Sequence, residues 1–260
     1  VDVPNDSRRI HTHPVPRLGG FAIFLGFIVA ALLFANIDRQ IQGVLIGSVI
    51  IVIMGVIDDI TPLPALLKFV IQIIAALVAV LHGVEIESII NPIFWSSKEF
   101  IHFGIWSVPI SVIWIVAVTN SVNLIDGLDG LAVGVSTIAA VTMLLIAFIG
   151  MEWNIVIILA ALVGGCLGFA PYNKNPAKIF MGDTGALFLG FILATMSIIG
   201  LFKYYAVITF VVPFIILGFP IFDTVSAVFR RLAHGKNPME PDKKHFHHRL
   251  IDMGFTQKQA

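Results

Sequence analysis

Residues 41 to 59, IQGVLIGSVIIVIMGVIDD, decide which solvent this chain folds in. Positions 41–57 carry no charged side chain, and then two aspartates, Asp58 and Asp59, stand side by side. Wound as a helix at ~1.5 Å per residue, that run comes close to the ~30 Å hydrocarbon core of a bilayer. Further apolar runs occur at 18–36, 63–81, 104–122, 131–149, 154–170, 184–202 and 204–229, so about eight membrane spans are expected. Lipid offers the backbone no hydrogen-bond partners, and the alternating pattern of a membrane barrel is missing, so the spans are read as helices. The fold class predicted is an all-α polytopic membrane protein.

Composition agrees. Of 260 residues 58% are hydrophobic and only 12% charged, which excludes an ordinary soluble globule. The single cysteine, Cys166, lies in the apolar run LVGGCLGFA, where helix packing accounts for it and no intramolecular disulfide can form. The chain opens at Val1 with a polar stretch that has neither the apolar core of a signal peptide nor the pattern of a transit sequence. Residues 1–260 are read as one transmembrane domain, expected to be truncated at both ends. Between the third and fourth spans, the alternation around VEIESII suggests a short strand or hairpin lying at the interface.

Charge gives the orientation. The connections at 1–17, 58–62, 120–130, 171–183 and 230–260, together with Lys68, hold 13 of the 16 Lys and Arg side chains, whereas the opposite side holds Arg39, Lys98 and Lys203. Cytoplasmic loops carry the basic excess, so the first set is expected in the cytoplasm. Every polar motif lies on that side.

Four motifs carry candidate chemistry. Adjacent carboxylates at the end of an apolar helix, Asp58 and Asp59, are costly unless a cation, a proton or a substrate compensates them, and the helix dipole disfavours anions there. The bland alternative is a helix end meeting water. In NSVNLIDGLDG (120–130), Asn123, Asp126 and Asp129 recur every three residues, so a helical turn would gather an amide and two carboxylates on one face. Gly127 and Gly130 allow close backbone approach. Hard oxygen ligands beside a phosphate suit Mg²⁺ or Mn²⁺, although a glycine-rich turn would read the same way. In YNKNPAKIFMGDTG (172–185), Asn173 and Phe180 can read and stack a nucleobase, Lys178 can offset phosphate charge, and Asp183 can hold a metal. The alternative is a loop whose lysines only set topology. In KKHFHHRL (243–250), His245, His247, His248 and Arg249 form a cluster suited to phosphate or sugar, since zinc-motif spacings are missing. A solvated basic patch facing lipid headgroups is the simpler reading.

Three single residues stand beside these. Lys68, early in the third span, can snorkel to the interface or face the carboxylates. Asp223, inside the last span, is a site candidate or a helix-to-helix hydrogen bond. Arg17, in HPVPRLGG, reads as an anchor rather than a ligand.

In this order and on one side of a helical bundle, GVIDDITPLPALLK, NSVNLIDGLDGLAVG, YNKNPAKIFMGDTGALFLG and KKHFHHRL resemble the glycosyltransferase 4 family of polyprenyl-phosphate sugar-1-phosphate transferases. The HFHHR form is similar to that of the bacterial undecaprenyl-phosphate N-acetylglucosamine-1-phosphate transferases that initiate teichoic acid, O-antigen (lipopolysaccharide) or related glycan synthesis; the phospho-MurNAc-pentapeptide transferases are the second choice. The resemblance implies an enzyme of the bacterial inner membrane with its site facing the cytoplasm. In it the phosphate of undecaprenyl phosphate attacks the β-phosphate of a UDP-sugar and releases UMP, with Mg²⁺ or Mn²⁺ as cofactor.

It further implies that Asp183 and Asn123 hold the metal and that Asp58 and Asp59 position or deprotonate the lipid phosphate. Lys68 would sit near the diphosphate, Asp126 near the nucleotide, and Asn173 and Phe180 against the uridine. His245, His247, His248 and Arg249 would contact the sugar and its phosphate. Family members have a further span before residue 1 and two more after the histidine motif.

An anion transporter is the rival from another class, since intramembrane acids also mark permeation paths, but its polar residues would lie near the midplane. A lipid-phosphate phosphatase is the nearer enzymatic rival. The expected partners are the UDP-sugar, undecaprenyl phosphate and membrane lipid, with homodimer formation through membrane helices and no nucleic acid.

Overall fold

An apolar run becomes a helix in lipid because each amide must find its partner within the segment. The computed structural model describes residues 15–90 and 100–200. Among the described residues the helices are α1 (Gly19–Phe34), α2 (Arg39–Ile60), α3 (Ala65–Leu81), α4 (Ser107–Ile125), α5 (Leu131–Ile149), α6 (Trp153–Asn173) and α7 (Gly182–Gly200). Five stretches are long and apolar enough to cross a membrane: α2, Gly104–Ile125, α5, α6 and α7. The apolar helices α1 and α3 are shorter, with 16 and 17 residues. The expected count of about eight is therefore not reached within the described residues, and the stretch 204–229 lies outside them.

Three helices, α2, α4 and α6, run past their hydropathy boundaries at the C-terminal end. α2 starts at Arg39, where the Asp38 carboxylate accepts from the Ile41 amide at 2.8 Å, and it runs on through Asp58 and Asp59 to Ile60. α4 continues to Ile125 and α6 to Asn173, so Asn123 and Asn173 are helical residues rather than loop residues. Hydropathy marks where lipid begins, whereas the hydrogen-bond ladder continues past that point until a turn residue ends it.

α7 forms the centre. Every residue from Thr184 to Gly200 is buried, and the helix packs chiefly on α2 and α4, with α1 and α5 completing its surround. Small residues permit this closeness, which is how membrane helices gain contact when lipid is as apolar as their own side chains. A Cβ on Gly20 of α1 would collide with the backbone of Gly185, and one on Gly55 of α2 would collide with that of Thr184. Aromatic contacts fill the layer between, with Phe24 and Phe27 edge-on to Phe188 at ring-centroid distances of 5.5 and 5.3 Å. The outward faces carry Leu32, Leu33, Ile53, Ile113 and Ile149, the composition of a lipid-contacting surface.

Most polar side chains buried among the described helices are paired, Ser136 of α5 being the exception. Asn120 of α4 donates to Gln72 of α3 at 2.5 Å, and Trp114 donates to Ser197 of α7 at 3.0 Å. Such bonds contribute about 0.6 kcal/mol each on average in membranes. Two strands, β1 (Ser88–Ile90) and β2 (Phe100–His102), pair antiparallel with Ile89 opposite Ile101, in agreement with the alternation read around VEIESII.

Candidate active site

The C-terminal ends of α2, α4 and α6 and the N-terminal ends of α3, α5 and α7 meet at one end of the bundle, and the polar motifs meet with them. Asp58 and Asp59, adjacent in the last turn of α2, face different partners. Asp58 Oδ1 accepts from the Leu63 amide at 2.7 Å, closing the turn into α3, and Asp58 Oδ2 accepts from Lys68 Nζ at 3.0 Å. The same ammonium reaches Asp183 Oδ2 at 3.0 Å, so Lys68 bridges carboxylates from α2 and α7. Exposure of the three side chains is 9% for Asp58, 26% for Lys68 and 32% for Asp183, which leaves Lys68 and Asp183 within reach of a ligand above Asp58.

Asp59 serves the start of α7. Its Oδ1 accepts from the Asp183 amide at 3.0 Å, and its Oδ2 accepts from the Thr184 amide at 3.1 Å and the Thr184 hydroxyl at 2.6 Å. A carboxylate from another helix thus satisfies two amides of the first turn, which have no intrahelical partner, and opposes the positive end of the helix dipole. Gly182 makes room: its φ is +72°, and a Cβ there would lie 2.5 Å from Asp59 Oδ2 and 2.5 Å from the Arg17 carbonyl oxygen.

Asn123, in the last turn of α4, lies beside the Asp183 side chain. Asp126 follows just past the helix end. Burial pushes the Asp126 carboxyl up to about 7; the negative charges of Asp183, Asp59 and Asp129 act in the same direction and the Arg17 guanidinium opposes them.

A second polar cluster ties the α4–α5 turn to the α6–α7 loop. Asp129 accepts from the Asn175 amide group and the Ala177 backbone amide, both at 3.0 Å. Asn173, buried to 3% exposure, accepts from the Gly130 amide at 3.1 Å and donates to the Ile179 carbonyl at 3.0 Å. Both ends of its amide are engaged with backbone. Beyond it the backbone of Phe180 and Met181 pairs with the chain entering α1: Phe180 donates to the Pro16 carbonyl at 2.8 Å, Gly19 to the Phe180 carbonyl at 3.0 Å and Gly20 to the Met181 carbonyl at 2.9 Å.

Of the residues singled out from sequence, the fold gathers Asp58, Asp59, Lys68, Asn123, Asp126 and Asp183 around one point, with Asn173 and Phe180 on the adjoining loop. Lys68 faces the carboxylates, which settles its two alternatives. His245, His247, His248, Arg249 and Asp223 lie outside the described residues. Arg17, read as an anchor, stands at the site: its carbonyl packs on Gly182 and its charge acts on Asp126. The glycine pair after it, Gly19-Gly20, was the available signal, since adjacent glycines mark close backbone approach. Asp129 also proves structural here, as the clamp of the α6–α7 loop.

Acidic groups outnumber basic ones at this point, which favours a cation. Among the described residues no three His, Cys, Asp or Glu side chains converge to enclose a metal unaided. The Asp183 carboxylate with the Asn123 amide oxygen instead fits Mg²⁺ or Mn²⁺, ions held through one or two protein oxygens while water and substrate phosphates supply the rest.

Comparison with known proteins gives the family. The sequence profile of glycosyl transferase family 4 matches residues 41–201. A probable undecaprenyl-phosphate N-acetylglucosaminyl 1-phosphate transferase of Bacillus subtilis is 40% identical over an alignment of 262 positions, covering 100% of this chain and 72% of its own length. A decaprenyl-phosphate N-acetylglucosaminephosphotransferase of Mycolicibacterium smegmatis is 32% identical, covering 98% of this chain and 69% of its own length. A phospho-N-acetylmuramoyl-pentapeptide-transferase of Acetivibrio thermocellus is 35% identical over a shorter region, 71% of this chain and 59% of its own length. With a profile match across α2 to α7 and relatives that align along nearly all of this chain, the chain belongs to glycosyl transferase family 4.

Proposed function

We propose that this protein transfers N-acetylglucosamine 1-phosphate from UDP-N-acetylglucosamine to undecaprenyl phosphate, giving the diphosphate-linked lipid and UMP, and so starts a cell-envelope glycan. The carrying observation is the Lys68 bridge between Asp58 and Asp183 at one end of an apolar bundle, where a lipid-borne phosphate and a water-soluble donor can meet. The names of the relatives that cover nearly all of this chain support the sugar and the acceptor class. The shorter match to the pentapeptide transferase keeps that reaction as the second reading.

The chemistry asks little covalent work of the protein. An oxygen of the lipid phosphate attacks the donor β-phosphorus, the bond from that phosphorus to the oxygen bridging it to the α-phosphate breaks, and UMP departs with the electron pair. Phosphoryl transfer of this kind depends on in-line positioning and on neutralising the charge that gathers on the phosphate oxygens. Asp183 and Asn123 would hold Mg²⁺ or Mn²⁺, which supplies that neutralisation when bound. Lys68 adds a fixed positive charge beside the diphosphate. Asp58, tethered to Lys68, orients the acceptor; a base is not needed, because a phosphate monoester with a second pKa near ~6 is already mostly a dianion at neutral pH.

Asp126 and Phe180 flank the nucleotide in this reading, and Asn173 supports that loop from beneath. His245, His247, His248 and Arg249 receive the sugar and its phosphate. The site faces the cytoplasm of a bacterial inner membrane, in line with the basic excess of its loops, and the enzyme works as a homodimer.

The test is UMP release from UDP-N-acetylglucosamine by the purified protein in detergent, with and without undecaprenyl phosphate and Mg²⁺. UMP that needs both supports the reading. Inorganic phosphate in place of UMP would convert it to a lipid-phosphate phosphatase, and no product from any UDP-sugar would remove the transferase reading.

A further inference from the structure

Asp58 and Asp59 look like one acidic pair in the sequence, yet the fold gives them separate partners. Asp58 is bound to Lys68 and to its own turn. Among the described residues, all three hydrogen bonds of Asp59 go to the first turn of α7, two to Thr184 and one to the amide of Asp183 itself. Two glycines make that reach possible. At Gly55, one turn earlier on α2, a side chain would strike the Thr184 backbone and push the helices apart; at Gly182 a Cβ would press on both Asp59 carboxylate oxygens, at 2.5 and 2.7 Å. The positive φ of Gly182, +72°, turns the backbone so that the next two amides point back at α2.

The residue held by this grip is Asp183, whose carboxylate meets Lys68 at 3.0 Å and Asn123 beside it. Both oxygens of Asp59 are occupied on the α7 side, so a lipid phosphate would have to displace part of a helix cap to engage them. Partners that orient a ligating side chain without touching the ion are known to change metal affinity by 10–100-fold.

We propose that Asp59 is a positioning residue: it fixes the first turn of α7 so that Asp183 presents its carboxylate to the divalent cation, and it does not handle the lipid phosphate. This rests on the reading of Asp183 as the metal-holding residue. The two aspartates then have divided roles, Asp58 towards the acceptor and Asp59 towards the metal through Asp183.

The experiment uses the intact protein in detergent, stripped of metal, and titrates Mn²⁺ alone by electron paramagnetic resonance for wild type, Asp59→Asn and Thr184→Val. The Thr184 variant removes the 2.6 Å bond while keeping every carboxylate and the side-chain size, so it carries the test if Asp59→Asn fails to fold. Expected are an Mn²⁺ affinity at least about tenfold weaker in Asp59→Asn and a smaller loss of the same sign in Thr184→Val. In turnover, both variants should need more Mg²⁺ for half-maximal rate, with kcat largely restored at saturating Mg²⁺ and KM for undecaprenyl phosphate unchanged. Wild-type Mn²⁺ affinity in both variants, with or without a raised KM for the lipid, would overturn the proposal. A wild-type protein that releases UMP yet binds no Mn²⁺ would instead overturn the metal assignment of Asp183, and this role of Asp59 with it.

Discussion

Removing the charge of Lys68, as in Lys68→Met, puts the electrostatics of the site to a quantitative test. Lys68 Nζ lies 3.0 Å from an oxygen of Asp58 and 3.0 Å from one of Asp183, so those two oxygens stand no farther apart than twice that distance. Even at that upper limit of about 6 Å and an effective dielectric near 20, two unit charges repel by about 3 kcal/mol. Lys68 and Asp183 are respectively 26% and 32% exposed, so solvent screens part of this, and about 1–2 kcal/mol is the expected destabilisation. For a protein of this size that corresponds to roughly 2–8 °C in melting temperature. The assay is intrinsic-fluorescence melting of detergent-solubilised protein in a chelating buffer, repeated with Mg²⁺. The variant should melt below wild type with chelator present and recover part of the difference with Mg²⁺, because a divalent cation can replace the lost charge between the carboxylates. A variant that melts with wild type in chelator, or that gains nothing from Mg²⁺ where wild type gains, would refute the bridge as the organising charge of the site.

Other perturbations probe separate contacts. Asp58→Asn should lower turnover about tenfold by weakening a charge-assisted hydrogen bond to Lys68 while leaving the pH dependence of kcat unchanged; a profile displaced by a full pH unit would restore a general-base role. Gly182→Ala meets both an unfavourable positive φ and contacts at 2.5 Å, so a loss above about 1 kcal/mol in thermal stability and a near loss of activity are expected; a fully active, stable variant would contradict the described turn. Asp126, with its carboxyl raised from 3.8 to about 7, favours the folded state fully when protonated below pH ~4, and that contribution is lost as pH rises through 7. Metal-free wild type should therefore lose melting temperature between pH 4 and 7 by more than Asp126→Asn does; parallel curves would show that the half-buried Asp126 carboxyl is not raised by its surroundings.

Much of this was legible from residue order. Runs of apolar residues located the helices, since lipid leaves the backbone no alternative, and the segregation of Asp, Asn and Lys motifs to alternate connections anticipated that they would meet at one end. Asp58, Lys68, Asn123 and Asp183 were recognisable because charged and amide groups beside apolar helices are costly without partners. The division of labour between Asp58 and Asp59 was not legible. Successive helical residues point about 100° apart, but which neighbour each meets depends on how α2 and α7 pack, and that packing is set by Gly55 and Gly182 at long sequence separation. Asn173 posed a similar problem: an amide suited to a nucleobase turns out to pin Gly130 to Ile179. Arg17 looked like a membrane anchor because only the pairing of Pro16 and Gly19 with Phe180 brings the entry of α1 to the site.

The most direct test of the central claim follows one phosphorus atom. UDP-N-acetylglucosamine labelled with ³²P at the β-phosphate is incubated with undecaprenyl phosphate, Mg²⁺ and the protein, and the organic extract is counted beside an Asp183→Ala control. Transfer of a sugar 1-phosphate places the label in the lipid, with unlabelled UMP in the water phase and little or no label moved by the variant. Label that stays in water-soluble UDP while sugar enters the lipid would mean that the sugar alone is transferred, and the account built on Lys68, Asp58 and Asp183 would be wrong.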